Sequence, residues 1–263
     1  MTPALWLVVA GLSFGGGVVT GLLGGGGALV MVPLLLYGPP LLDVGVLPVK
    51  TVAAIVIVYG VCATASGIVA YYRRRQVSLT VAGAAGGLIA GGALLGGVLS
   101  KWTPDALLLA AFATMATLGA VLMLPSGGPS HAPSGGYRLR RPWVLGLFFP
   151  EGVLAGMVGV GGGFLTVPVL HVFMAVPLRM AIGSSLAVSW FGLSAGLAGK
   201  LVTGQVPFWL SLAAAIGGVG GAQLGVLVNR RIRAAYLRHM LVGLLVVVAV
   251  RFWWETLSRA GVL

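Results

Sequence analysis

Apolar runs of membrane-spanning length recur along this chain, at residues 48–71, 77–100, 104–124, 178–199, 206–228 and 236–255. Each is close to the roughly 20 residues that an α-helix needs to cross the hydrocarbon core of a bilayer. No water in that core can satisfy backbone N–H and C=O groups, so the runs are confined to helices, which pair those groups within the segment. Composition agrees: 59% of the residues are hydrophobic, 8% are charged and the mean hydropathy is +1.07, whereas soluble domains carry about a quarter charged residues. The sequence therefore predicts an all-α polytopic membrane protein and excludes a soluble globular domain.

The charge balance is strongly basic, with 16 Lys and Arg against Asp43, Asp105, Glu151 and Glu255. In a soluble chain this would suggest nucleic acid. Here the basic residues cluster at the ends of apolar runs, where they orient helices in a membrane. The lipid bilayer is thus the expected partner, and nucleic acid is not. The N-terminus lacks the basic start of a cleavable signal peptide and is expected to stay as a membrane segment. Cys62 is alone, so no disulfide or cysteine cluster can form within the chain. His131, His171 and His239 are too scattered for a metal site, and neither a cofactor nor a metal is expected.

Two apolar regions, 4–37 and 143–175, are long and interrupted by glycines. Between the halves lies a Ser, Gly and Pro-rich stretch with the composition of a mobile loop. This divides the chain into a first membrane repeat at 1–125, a polar basic linker at 126–142 and a second repeat at 143–263. The halves resemble each other: "GLLGGGGALVMVP" from Gly21 aligns without gaps with "GMVGVGGGFLTVP" from Gly156. After a six-residue shift, one constant offset holds from Pro48/Pro177 to Gly96/Gly225. Duplication of this kind is typical of transporters and places the substrate site at the repeat interface.

Charge also constrains topology. If both glycine-broken regions crossed the membrane fully, the basic residues would divide nine against seven. If each dips in and returns, or crosses twice, Arg73 to Arg75, Arg138 to Arg141, Arg179 and Arg230 to Arg238 share one side. That gives eleven basic residues against Lys50, Lys101, Lys200, Arg251 and Arg259. The second division fits the positive-inside rule and predicts two inverted halves of about four helical segments each, the first segment of each being broken. Both termini then lie on the outer face.

Glycine costs about 1 kcal/mol relative to alanine inside a helix, so Gly24 to Gly27 and Gly159 to Gly163 should break their helices. A break within the bilayer is tolerable only where protein or a wet cavity surrounds it. Helices restarting near Ala28 and Gly163 would aim free N–H groups and positive dipole ends at that place, forming an anion site of backbone. The primary candidates are Gly24, Gly25, Gly26, Gly27, Gly159, Gly161, Gly162 and Gly163. The glycines of 86–97 and 217–221 are expected to serve close helix packing instead.

The two glycine clusters, each followed by an apolar stretch and Val-Pro, together with "PLRMAIGSSLAV" at 177–188, resemble the TauE/SafE sulfite exporter family, also called the toluene-sulfonate uptake permease family. The resemblance covers nearly the whole chain. It implies transport of sulfite, sulfonates or related sulfur-containing anions across the bacterial inner membrane, with a small sulfur-containing anion as partner. Ser184 and Ser185 could donate hydroxyl hydrogen bonds to an oxyanion, or bond back to their own helix. Thr51 is the nearby hydroxyl in the first half, and Thr166 is a weaker candidate. Lys50 and Arg179 could attract anions into entrances or simply anchor helix ends. Glu151 could couple transport to protons, or reach interfacial water. His171 reads as a packing histidine. A homodimer is among the assemblies allowed. The competing readings are a membrane acyltransferase holding phosphate in its glycine loops, a rhomboid-like protease and a non-transporting assembly subunit.

Overall fold

The computed structural model describes residues 3–25, 27–124 and 146–259. Gly26, His131 and the whole expected linker lie outside the described residues. The first half contains α1 (Pro3–Leu23), α2 (Gly27–Leu41), α3 (Val49–Tyr72), α4 (Leu79–Leu99) and α5 (Asp105–Met123). The second contains α6 (Phe148–Val158), α7 (Gly163–Pro168) running into a π-turn (Val169–Phe173), α8 (Leu178–Val202), α9 (Phe208–Asn229) and α10 (Ala234–Arg259). Among the described residues seven helices are long and apolar enough to cross a membrane, and α2, α6 and α7 with its π-turn are shorter. The chain is an all-helical, multi-pass membrane protein.

Both expected breaks fall on the glycines, and the helices restart at Gly27 and Gly163. The order of a broken pair followed by three long helices thus occurs twice. A proline follows each restart, Pro33 within α2 and Pro168 at the end of α7. Proline cannot donate to the preceding turn, and Pro168 leads directly into the wider π-turn.

The halves are interlocked. α1 packs most extensively on α9, and α6 packs on α4, so each half grips the other. Glycine makes this possible. A Cβ on Gly17 would come 2.6 Å from the Gly218 carbonyl oxygen, and one on Gly21 would fall on that of Ala222. From the other side, Gly217, Gly221 and Gly225 lie against the carbonyls of Ala10, Phe14 and Val18. The α4–α6 contact repeats the device with Gly92 and Gly96 against Phe149 and Val153, and Gly152 and Gly156 against Ile89 and Ala93. Lipid offers no hydrophobic gain for helix association, so such backbone-to-backbone packing is what holds the helices together. The packing role expected for these stretches is what they perform.

At the centre α3 and α8 run antiparallel: Gly60 lies on Leu193, Gly67 on Leu186, and Tyr71 beside Gly183. α5 and α10 pair on the periphery, with large apolar side chains such as Leu107, Val247 and Trp254 facing outward. An outward apolar surface is expected where the solvent is lipid.

The basic residues sort to two ends. Arg74 reaches the Val226 carbonyl at 3.5 Å and Arg179 the Ile232 carbonyl at 2.6 Å, which brings 73–75, 179 and 230–233 together. Lys50 donates to the Lys101 carbonyl (2.9 Å) and Lys200 to Ser100 Oγ (2.8 Å) at the opposite end. This is the grouping expected when each broken region returns to its own side; full crossing would have separated Arg179 from Arg73. Lys200, however, is no surface charge. It is 1% exposed and also donates to the Met157 carbonyl near the C-terminus of α6, where a cation opposes the negative end of the helix dipole.

Candidate functional site: the junction of two broken helices

The two breaks meet in the middle of the molecule. Gly24 (φ 83°) ends α1, while Gly159 (φ 88°), Gly161 (φ 68°) and Gly162 (φ 71°) carry the chain from α6 to α7. These left-handed torsions are costly for any residue with a Cβ, which is why glycine occupies them. Gly25 and Gly163 touch: a Cβ on Gly163 would lie 2.6 Å from Gly25 Cα, and one on Gly25 would lie 2.8 Å from the Gly163 carbonyl carbon. In this state no sulfite-sized gap separates the two backbones.

Helix α8 lines the junction with hydroxyls. A Cβ on Gly25 would lie 2.8 Å from Ser189 Oγ, and the same oxygen touches the Cβ position of Gly163. Ser185 Oγ lies 2.6 Å from the Cβ position of Gly24 and donates to the Ile182 carbonyl at 2.8 Å. Ser189 was not singled out by sequence reasoning. Its signal was faint, since it stands one helical turn beyond Ser185 and aligns with Gly60 of the first half. Ser184 is spent differently: its Oγ accepts the Ser78 N–H (2.9 Å) at the start of α4.

Behind the second break stands Glu151. Its side chain is 4% exposed, Oε1 accepts a 2.8 Å hydrogen bond from Thr166 Oγ1, and the same oxygen lies 2.8 Å from the Cβ position of Gly162. The expectation that Glu151 reaches interfacial water is overturned, because α6 buries it against α7. Thr166, the weaker candidate, is its fixed donor. Among the described residues four buried side-chain oxygens have no hydrogen-bond partner: Glu151 Oε2, Ser189 Oγ, Ser194 Oγ and Ser211 Oγ. Glu151 and Ser189 flank the second break from its two sides. A buried unpaired polar group costs about 1–3 kcal/mol, so orphans at a functional site call for a ligand or a proton to complete them.

The first break is backed by neutral groups. Gly16 occupies the position that aligns with Glu151, and the Cβ it lacks would lie 3.1 Å from Tyr59 Oη. Tyr59 Oη is 2.7 Å from Thr20 Oγ1, which donates to the Gly16 carbonyl at 3.1 Å, so the phenol is the donor of the pair. Thr20 in turn touches the start of α2 at Gly27. The two breaks therefore share a helix–glycine–helix arrangement, opened by left-handed Gly24 and Gly159, and differ in chemistry.

The remaining candidates fall elsewhere. Thr51 stands half-buried in the first turn of α3, two residues before Ala53, whose carbonyl meets the Cβ position of Gly159. Lys50 and Arg179 are bonded to carbonyls just past the ends of α4 and α9, which is the anchoring alternative. His171 is buried with Nδ1 2.8 Å from the Val176 carbonyl, a satisfied packing histidine.

Among the described residues, seven spanning-length helices, two breaks that meet at the core and glycine-tight packing make a polytopic membrane protein, and its relatives place it among membrane transporters and not enzymes. Residues 9–252 match the family described as sulfite exporter TauE/SafE, and the chain belongs to that family. It is 32% identical over 252 residues to a probable membrane transporter protein of Xylella fastidiosa strain Temecula1, covering 91% of this chain and 92% of the relative. A protein of the same description from strain 9a5c is 31% identical over 250 residues, with the same coverage. The probable membrane transporter protein YunE of Bacillus subtilis is 24% identical over 111 residues, 42% of this chain and 41% of that protein. No solved structure matches the chain.

Proposed function

We propose that the protein moves a small sulfur oxyanion or organosulfonate across the bacterial inner membrane, the anion lodging where the two breaks meet. The carrying observation is Ser189 Oγ, buried and without a partner between Gly25 and Gly163. An oxyanion entering there would accept from Ser189 and from the first N–H groups of α2 and α7, which have no intrahelical acceptor. Because Gly25 and Gly163 touch, binding requires the breaks to part. The two halves, read as inverted repeats from the antiparallel α3 and α8, would part them by rocking, opening the junction to one face and then the other.

The basic end at 73–75, 179 and 230–233 is assigned to the cytoplasm. A divalent anion leaving a negative interior gains roughly 4–5 kcal/mol per 100 mV, so export runs downhill. The test is flux of sulfite, thiosulfate and sulfoacetate into proteoliposomes under imposed potentials of either sign. Potential-driven flux of one of them supports the reading. Absence of flux for every oxyanion, from folded protein, would leave an assembly subunit as the alternative.

A further inference from the structure

The anion site proposed above has an acid beside it, and this inference rests on that reading. Glu151 presents one oxygen to Thr166 and leaves Oε2 buried without a partner. The carboxyl abuts the Cβ position of Gly162, the residue before α7 begins. A carboxylate there occupies the positive end of the same helix that an entering oxyanion would use. Two negative charges at such separation inside a low-dielectric core repel strongly, and one must be neutralised. Among the described residues no basic side chain does so. Of the elements packed on α6, α4 carries no titratable residue, and α5 carries Asp105 at its first position. α8 carries Arg179 and Lys200, bonded to the Ile232 carbonyl and to Ser100 and Met157. His171, after α7, is held by the Val176 carbonyl. The neutralising charge is left to a proton.

We propose that Glu151 carries a proton together with each anion: Oε2 takes up a proton from one aqueous face as the anion enters the junction and returns it at the other face as the anion leaves. The protonated Oε2 then becomes a donor, which turns the orphan acceptor into a ligand for the oxyanion. The first break, with Tyr59 and Thr20 in the matching place, needs no proton, so one proton accompanies one anion.

This stoichiometry makes direction depend on valence. A divalent anion with one proton still carries net negative charge and is driven outward by the membrane potential. A monovalent sulfonate with one proton moves without net charge and follows the proton gradient inward. One site would thus export the first class and import the second.

The test uses the full-length protein in proteoliposomes with the potential clamped at zero, one pH unit more acidic outside, and thiosulfate or methanesulfonate as probe. Reciprocal linkage of one proton to one anion predicts about tenfold internal accumulation. E151Q, which keeps the acceptor for Thr166 but cannot ionise, is expected to equilibrate its anion at a ratio of about one, with no proton uptake on a pH-sensitive dye. E151D, a second variant should E151Q not fold, is expected to retain proton uptake. Equilibration without accumulation by the unaltered protein overturns the coupling while leaving transport intact, and tenfold accumulation by E151Q overturns the assignment to Glu151. Failure of every probe to enter overturns the transport reading and the coupling with it.

Discussion

Replacing Ser189 by alanine is expected to move stability and transport in opposite directions. The hydroxyl is fully buried and has no partner, so the folded state bears its desolvation, about 1–3 kcal/mol. Removing one oxygen leaves little cavity, because the backbones of Gly25 and Gly163 lie so near that a Cβ on either would meet that atom. The net expectation is a stabilisation of about 1 kcal/mol, since part of the gain is lost to the smaller side chain's poorer packing. In the anion-bound state the same hydroxyl would donate to a charged acceptor, an interaction of about 1.5–3 kcal/mol. Its loss should weaken apparent anion affinity about ten- to a hundredfold. Thermal unfolding in detergent, with and without thiosulfate, reads the first effect, and concentration-dependent flux in proteoliposomes reads the second. A variant that is less stable and transports with unchanged affinity would refute the reasoning, because Ser189 would then be a packing or helix-bonding group.

Three further outcomes follow from the geometry. Gly162→Ala should lose about 1–3 kcal/mol of stability, from a Cβ at φ 71° and its 2.8 Å approach to Glu151 Oε1; unfolding in detergent measures it, and an unchanged midpoint contradicts the placement. Gly221→Leu should abolish the α1–α9 contact, because its Cβ falls on the Phe14 carbonyl, and is read as loss of the monodisperse peak in gel filtration. The neighbouring Gly220, against the Phe14 ring edge at 3.5 Å, should tolerate alanine. In a Cys62→Ala background, cysteines at Arg75 and Arg230 should react from the cytoplasm and one at Lys101 from outside; labelling of all three from one side contradicts the assigned topology.

Much of this fold could be read from local composition, because lipid imposes one requirement on every spanning segment. Nearly uncharged runs of about 20 residues leave only helix as an option, and α3, α4, α5, α8, α9 and α10 fall close to where hydropathy placed them. The breaks were equally legible, since glycine clusters as dense as Gly24 to Gly27 and Gly159 to Gly163 weaken a helix by about 1 kcal/mol per glycine. The duplicated pattern and the two-sided charge division were visible too, being properties of order along the chain.

What the chain order could not carry was which side chains converge. Ser189 is an unremarked serine in sequence and becomes the orphaned hydroxyl of the junction only because α8 crosses both breaks. Glu151 lies eight residues from Trp143 in sequence, close enough to suggest interfacial water, yet α6 turns it inward against Thr166. Lys200 looked like a helix-end charge and is buried on Ser100 and the Met157 carbonyl. Sequence fixes hydropathy, helix length and the positions of glycine, which are local and additive. The rotation of each helix about its axis depends on glycine-to-backbone contacts with a partner from the other half, and only the assembled tertiary structure decides it.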